Sequence, residues 1–190
     1  MTIYILDNDH KKIAEYLDDK SLDKMIKNIA QVLCDVHLFK SFFHSKEIKD
    51  KWSRWARECK ANYLYLVELG FTLYSESVFR FGLKKINANR RDVIRWCYEN
   101  VPDLPKRCFS CGDDSESHMC QKCWNDKRPN SFPLVMPKKY IVDGFDPNDF
   151  DKEGNGQSLT IQSYRNYYRA NKLKQNIQKW TRRQKPDWLI

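Results

Sequence analysis

The sequence predicts a mainly α fold: a single helical domain, opened by a short extended segment and interrupted by a small four-cysteine insertion. Three observations carry this prediction. Apolar residues recur every three to four positions over long stretches, the interval at which side chains share one helix face. Only 6 Gly and 7 Pro in 190 residues leave little sequence for long irregular tracts. Cys108, Cys111, Cys120 and Cys123 crowd into one short stretch that breaks the helical pattern.

The elements follow in order. Thr2–Leu6 (TIYIL) is apolar and β-prone, and predicts a strand or an extended segment. Asp9 is placed to cap a helix running to about Leu17. Leu22, Met25, Ile26, Ile29, Ala30, Leu33 and Val36 form a stripe that predicts a core-facing helix over 21–43, with Ser21 as its N-cap. Trp52, Trp55, Ala56, Cys59, Tyr63, Leu66 and Leu73 predict a third helix over 52–79. Gly70 within it either bends it or admits a close neighbour. A fourth helix is expected over 89–99, stopped by Pro102 and Pro105. The cysteine stretch occupies 106–125. Residues 126–160 read as mostly irregular, with Gly154-Asn155-Gly156 as the most flexible point. A last helix is expected from about Leu159.

A chain of this length buries about 70% of its unfolded surface. With 41% apolar and 14% aromatic residues it has the material for a core. Residues 1–190 therefore read as one α-rich domain, carrying the 106–125 insertion and a basic aromatic segment at 160–190. No apolar run approaches the roughly 18 residues of a membrane span. The N-terminus lacks the pattern of a signal peptide. We expect a monomer in a reducing cytoplasm, with no membrane partner.

In a reducing setting, paired cysteines at this spacing are metal ligands rather than disulfides. Cys108-x2-Cys111 and Cys120-x2-Cys123 each offer a dithiolate that chelates one edge of a tetrahedron. The expectation is one Zn2+ per chain. Four protein ligands leave no open position for a catalytic water, so the zinc is structural. The loop is either a staple alone or also a DNA contact, since Lys106, Arg107, Lys122, Lys127 and Arg128 flank it. Cys34, Cys59 and Cys97 lie on apolar helical faces and read as core residues.

The net charge of +9 is unevenly spread. Residues 160–190 hold eight Lys/Arg against Asp187 alone. Such a face suits a polyanion, nucleic acid first, or is simply a solvated helix surface. Tyr164, Arg165, Tyr168 and Arg169 interleave bases and rings along one helix. Trp180, Arg182, Arg183 and Lys185 repeat the mixture. Guanidinium groups grip phosphate, and aromatic faces accept unstacked bases. The competing reading puts the aromatic residues in the core.

Several stretches together resemble a family of tailed-phage proteins: TIYILDND (2–9), DDKSLDKMIKNIAQVL (18–33), WARECKANYLYL (55–66), RFG (80–82), MPKKY (136–140), SYRNYYRANK (163–172) and KWTRRQKPDWL (179–189). That family is labelled pyrimidine-dimer DNA glycosylase-like and is distantly similar to the endonuclease V family. The resemblance implies host-cell cytoplasm as the location and DNA as the partner. It implies imine chemistry, in which the α-amine of Thr2, freed by loss of Met1, attacks C1′ of a flipped nucleotide. It implies a helix carrying His and Glu seven residues apart; here Ser21 and Asn28 stand at those places. Asn28 has no charge and is no base. Arg57 and Asn62, about 140° apart on a continuous helix, either border the pocket or lie at the surface. Thr2, Ser21, Asn28 and Arg57 are thus the candidate catalytic set. Asn62 and Arg80 join the tail residues as candidate nucleic-acid contacts. Three functions follow from this set: a glycosylase/lyase-like enzyme on a pyrimidine nucleotide, a zinc-stapled DNA-binding protein without catalysis, or a base-modifying transferase acting on hypermodified thymine in phage DNA.

Overall fold

The computed structural model describes residues 1–41, 50–83, 88–104, 132–142, 155–173 and 178–189. Among these residues there are six α-helices and no β-strand, so the fold is mainly α.

The N-terminal segment before α1 forms no helix and pairs with no strand among the described residues. Ile3, Ile5 and Leu6 are fully buried. Side chains answer its carbonyls instead. Asn28 Nδ2 donates to Thr2 O at 2.8 Å, and Arg165 Nε donates to Leu6 O at 2.8 Å. A backbone carbonyl taken from water needs such a partner, and here α-helical side chains replace a neighbouring strand.

Helix α1 (His10–Tyr16) begins as expected, with Asp9 Oδ1 accepting from the Lys11 N–H at 2.8 Å. It ends at Leu17, where ψ turns to 134°. Helix α2 (Asp19–Ser41) starts two residues before the predicted cap. Asp18, not Ser21, does the capping: its carboxylate accepts from the Ser21 N–H at 3.0 Å, and its carbonyl from the Leu22 N–H at 2.9 Å. Ser21 lies in the first turn, and its hydroxyl donates to Asp18 Oδ2 at 3.0 Å.

The expected single helix over 52–79 is two: α3 (Lys51–Glu58) and α4 (Lys60–Phe81). Cys59 breaks them with an extended backbone (φ −158°, ψ 161°). In an unbroken helix the Cys59 N–H would bond to Trp55 O. The Asn62 carboxamide takes that carbonyl instead, at 2.8 Å. Asp50 caps α3 through the Ser53 N–H at 2.9 Å. Gly82, at φ 75°, closes α4 with its N–H on Val78 O; only glycine holds that backbone without strain.

Helix α5 (Ala88–Glu99) follows the prediction within a residue. Helix α6 (Asn155–Leu173) starts about a turn earlier than expected, taking in Gly156. The first helical turn has no intrahelical N–H bonds to lose, so glycine is tolerated there.

Helix α4 is the central element. It packs on α1, α2, α3 and α5, and α2 in turn packs on α3 and α5. A helix buried nearly all round shows no clean amphipathic stripe. Gly70 marks the tightest approach: a Cβ there would lie 3.1 Å from Ile94 Cδ1 and 3.2 Å from Ile29 Cγ2. The glycine admits close neighbours from α2 and α5. Residues 178–189 then return across α1 and α2. The Asp19 N–H donates to Lys179 O at 2.9 Å, and Trp180 Nε1 to Tyr16 O at 3.1 Å. No helix among the described residues is long and apolar enough to cross a membrane.

Candidate active site and nucleic-acid interface

Of the four candidate catalytic residues, the fold brings two into contact. Asn28 on α2 holds the Thr2 carbonyl at 2.8 Å. Next to them stands a carboxylate pair that sequence reasoning missed. The Met1 amine pairs with Asp50 Oδ1 at 2.8 Å. Ser53 Oγ bridges to Asp50 Oδ2 at 3.1 Å and to Asp35 Oδ2 at 3.2 Å. Gln31 Nε2 holds the other Asp35 oxygen at 2.8 Å. A signal for Asp35 was present: it stands seven residues beyond Asn28, as Asn28 stands seven beyond Ser21, so the three share one helix face. Burial pushes the Asp50 carboxyl up, but the Met1 amine and Ser53 outweigh burial and hold it below the ordinary carboxylate value.

Ser21 sits two turns away in a second cluster. Asp18 Oδ2 receives Tyr168 OH at 2.8 Å and Lys172 Nζ at 2.5 Å. The Asp18 N–H donates back to the Tyr168 hydroxyl oxygen at 2.8 Å. Asp18 and Lys172 are both buried. Burial raises the Asp18 carboxyl, yet the Lys172 and Tyr168 hydrogen bonds, the Lys172 charge and the Ser21 N–H together bring it below its usual value. Burial raises the Tyr168 phenol. Tyr4 links the two clusters. Its ring meets Tyr168 edge-on at 5.0 Å and lies 6.0 Å from Tyr167, which lies 5.3 Å from Tyr140. Burial is the main force that pushes the Tyr4 phenol up to about 12. Tyr4, Tyr140 and Tyr167 are half-buried, forming an aromatic face over this seam.

Arg57 is half-buried in the last turn of α3, across the Cys59 break from Asn62. The angle expected between them on a continuous helix does not apply. Asn62 is buried at that break and serves it.

Most residues expected to meet nucleic acid are occupied within the protein. Arg80 is fully buried on α4. Its guanidinium donates to Glu76 at 2.7 Å, to Asp19 at 3.1 Å, and to the carbonyls of Ala14, Glu15 and Leu17. Tyr164 and Tyr168 are fully buried, with Tyr164 OH on Pro133 O at 2.5 Å. These positions, like Asn62, are buried and partnered within the protein. Arg165 reaches Leu6 O and Asp7, and its guanidinium lies over Tyr16 and Trp188 at 5.6 and 5.1 Å. Arg169 donates to Trp188 O. Trp180 is half-buried on the Tyr16 carbonyl. Arg183 pairs with Glu76 at 2.7 Å and Glu15 at 3.3 Å. Arg182 and Lys185 remain exposed.

The metal prediction on Cys108, Cys111, Cys120 and Cys123 lies outside the described residues. Cys59 and Cys97 are buried, and Cys34 is half-buried. Burial pushes the Cys97 thiol up to about 11, which keeps it protonated and unreactive. The chain matches no protein-family model, no curated protein and no solved structure.

Proposed function

We propose that the chain binds duplex DNA and acts on a pyrimidine nucleotide turned out of the stack, by glycosylase- and lyase-type chemistry. One observation supports this most. Thr2 and Asn28, the positions that the family resemblance makes nucleophile and helix carboxylate, touch each other at 2.8 Å. The carboxylate missing at position 28 has a neighbour to replace it: Asp50 receives the amine one residue before Thr2. In this reading, loss of Met1 frees the Thr2 amine. The amine nitrogen bonds to C1′ and the bond from C1′ to the base breaks. The base leaves with a proton, and the sugar ring opens to an imine. The half-buried aromatic face of Tyr4, Tyr140 and Tyr167 suits the extruded base, since base–aromatic stacking tolerates any base.

Borohydride trapping on duplexes carrying a thymine dimer or an abasic site tests this. We expect a covalent complex whose peptide map ends on Thr2, and its loss in Asp50→Asn. Binding without trapping removes the amine mechanism. A second reading, base-modifying transfer to hypermodified thymine or DNA binding without catalysis, then takes its place. The neutral Asn28 side chain, spent on holding the Thr2 carbonyl, favours that second reading.

We assign one structural Zn2+ to Cys108, Cys111, Cys120 and Cys123, on the spacing of the two Cys pairs. Metal analysis is expected to find one zinc per chain. Cys108→Ser with Cys111→Ser is expected to abolish binding and unfold the loop or the whole chain. A metal-free protein with unchanged melting overturns the assignment.

A further inference from the structure

Residues 182–188 wrap around the end of α1 and enclose an open cleft of about 430 Å³, walled on the other side by Glu15 and Tyr16. Its charges divide unequally. Arg183 is tied to Glu15 and Glu76, and lies over the Phe79 ring at 4.5 Å. Arg183 is thus shared between the two carboxylates, and Glu15 keeps part of its charge at the cleft. Arg182 spends one N–H on Phe79 O at 2.8 Å, and Lys185 has no ion pair among the described residues. Two cations at the cleft, Arg182 and Lys185, are therefore unspent on carboxylates, against Asp187 and the partly compensated Glu15.

The backbone explains how adjacent arginines take different duties. Arg182 has φ 59°, the one positive φ at a non-glycine among the described residues. A left-handed residue reverses the chain locally and costs energy for any side chain with a Cβ. Here it sends Arg183 inward to Glu76 and leaves Arg182 on the exposed wall. Glycine would hold this turn more easily, yet the position carries a cation.

The geometry points to this cleft as a phosphate subsite that takes one phosphodiester unit of a nucleic-acid strand, with Arg182 and Lys185 as its cations and the Gln184 amide as a further donor. It rests on the DNA-binding reading above, and extends it to a place distant from the Thr2–Asn28 seam in sequence and on a different set of elements. The volume lies within the roughly 300–1,000 Å³ range of small-ligand sites, so a single nucleotide unit fits. A guanidinium and an ammonium together match the oxygens of one phosphate.

The test compares wild type with Arg182→Gly plus Lys185→Gln. Glycine suits φ 59°, and Lys185 is exposed, so the melting temperature is the control for folding and should be unchanged. The probes are a fluorescein-labelled duplex and thymidine 5′-monophosphate, followed by anisotropy and by tryptophan fluorescence. We expect duplex affinity to fall about tenfold or more, and the slope of log K against log salt to drop by about 0.9, as for one lost phosphate contact. Duplex binding that is unchanged in affinity and slope overturns the subsite while leaving DNA binding intact. A wild type that binds the monophosphate but no duplex, with binding lost in the variant, keeps the subsite, assigns it to a free nucleotide and removes the DNA reading. Binding of neither probe overturns both.

Discussion

Arg80→Met is expected to destabilise the protein by about 3–5 kcal/mol, the usual cost of removing one partner from a buried ion pair. Arg80 is fully buried, and its guanidinium serves two carboxylates and three carbonyls. Methionine fills much of the same volume but donates nothing. The substitution leaves Glu76, which is 7% exposed, without one of its two cations. It also strands the carbonyls at the end of α1, whose last turn has no other described donor for Ala14 O and Leu17 O. Urea unfolding measures the loss. For a domain of this size the melting temperature should fall by on the order of 10 °C. A loss below about 1 kcal/mol would show that the network contributes little, as surface ion pairs do.

Asp18→Asn is the second large effect, expected at about 3–5 kcal/mol near neutral pH. It leaves the Lys172 ammonium, 8% exposed, with no counter-charge. Combining it with Lys172→Met should recover part of the loss, since the pair is then absent rather than broken. The pH dependence has a definite sign. The Asp18 carboxyl is depressed in the folded protein. Its contribution is therefore fully present above the unfolded value of about 3.9, and is lost as pH falls through the lower folded value. The gap between wild type and Asp18→Asn should be constant from pH 5 to 7 and close in more acidic solution. A gap that widens below pH 4 would contradict this account of the pair.

The elements legible in the sequence were those with one buried face and a local signal. The Leu22–Val36 stripe located α2, Asp9 located the start of α1, and Pro102 followed the end of α5. The break at Cys59 was not legible, because the apolar stripe runs on through it from Trp55 to Tyr63. What interrupts the helix is a side chain on the far side, Asn62, taking the carbonyl that the helix would have used. The burial of Arg80 and Tyr168 was not legible for a related reason. A charged or phenolic group reads as surface until its partners are known, and the partners of these two lie some 60 to 150 residues away in sequence. Asp35 was within reach of sequence reasoning as the third member of the Ser21–Asn28 face, whereas Asp50 was not. Asp50 meets the N-terminal segment only because α3 packs on α2.

The long reach of these contacts bears on the order in which the molecule is completed. Asp18 waits for Tyr168, Leu6 for Arg165, and Asp19 for Thr181. During synthesis at roughly 5–20 residues per second, the first hundred residues spend several seconds without these partners. Over that interval α2 and α4 can pack, but Asp18 lacks Tyr168 and Lys172, and Glu76 lacks Arg183. The returning segment thus acts as a late fastener. A ribosome pause or a proteolytic cut between α5 and α6 would leave a compact, mostly helical species with buried charges uncompensated. Such a species is the form expected to aggregate first.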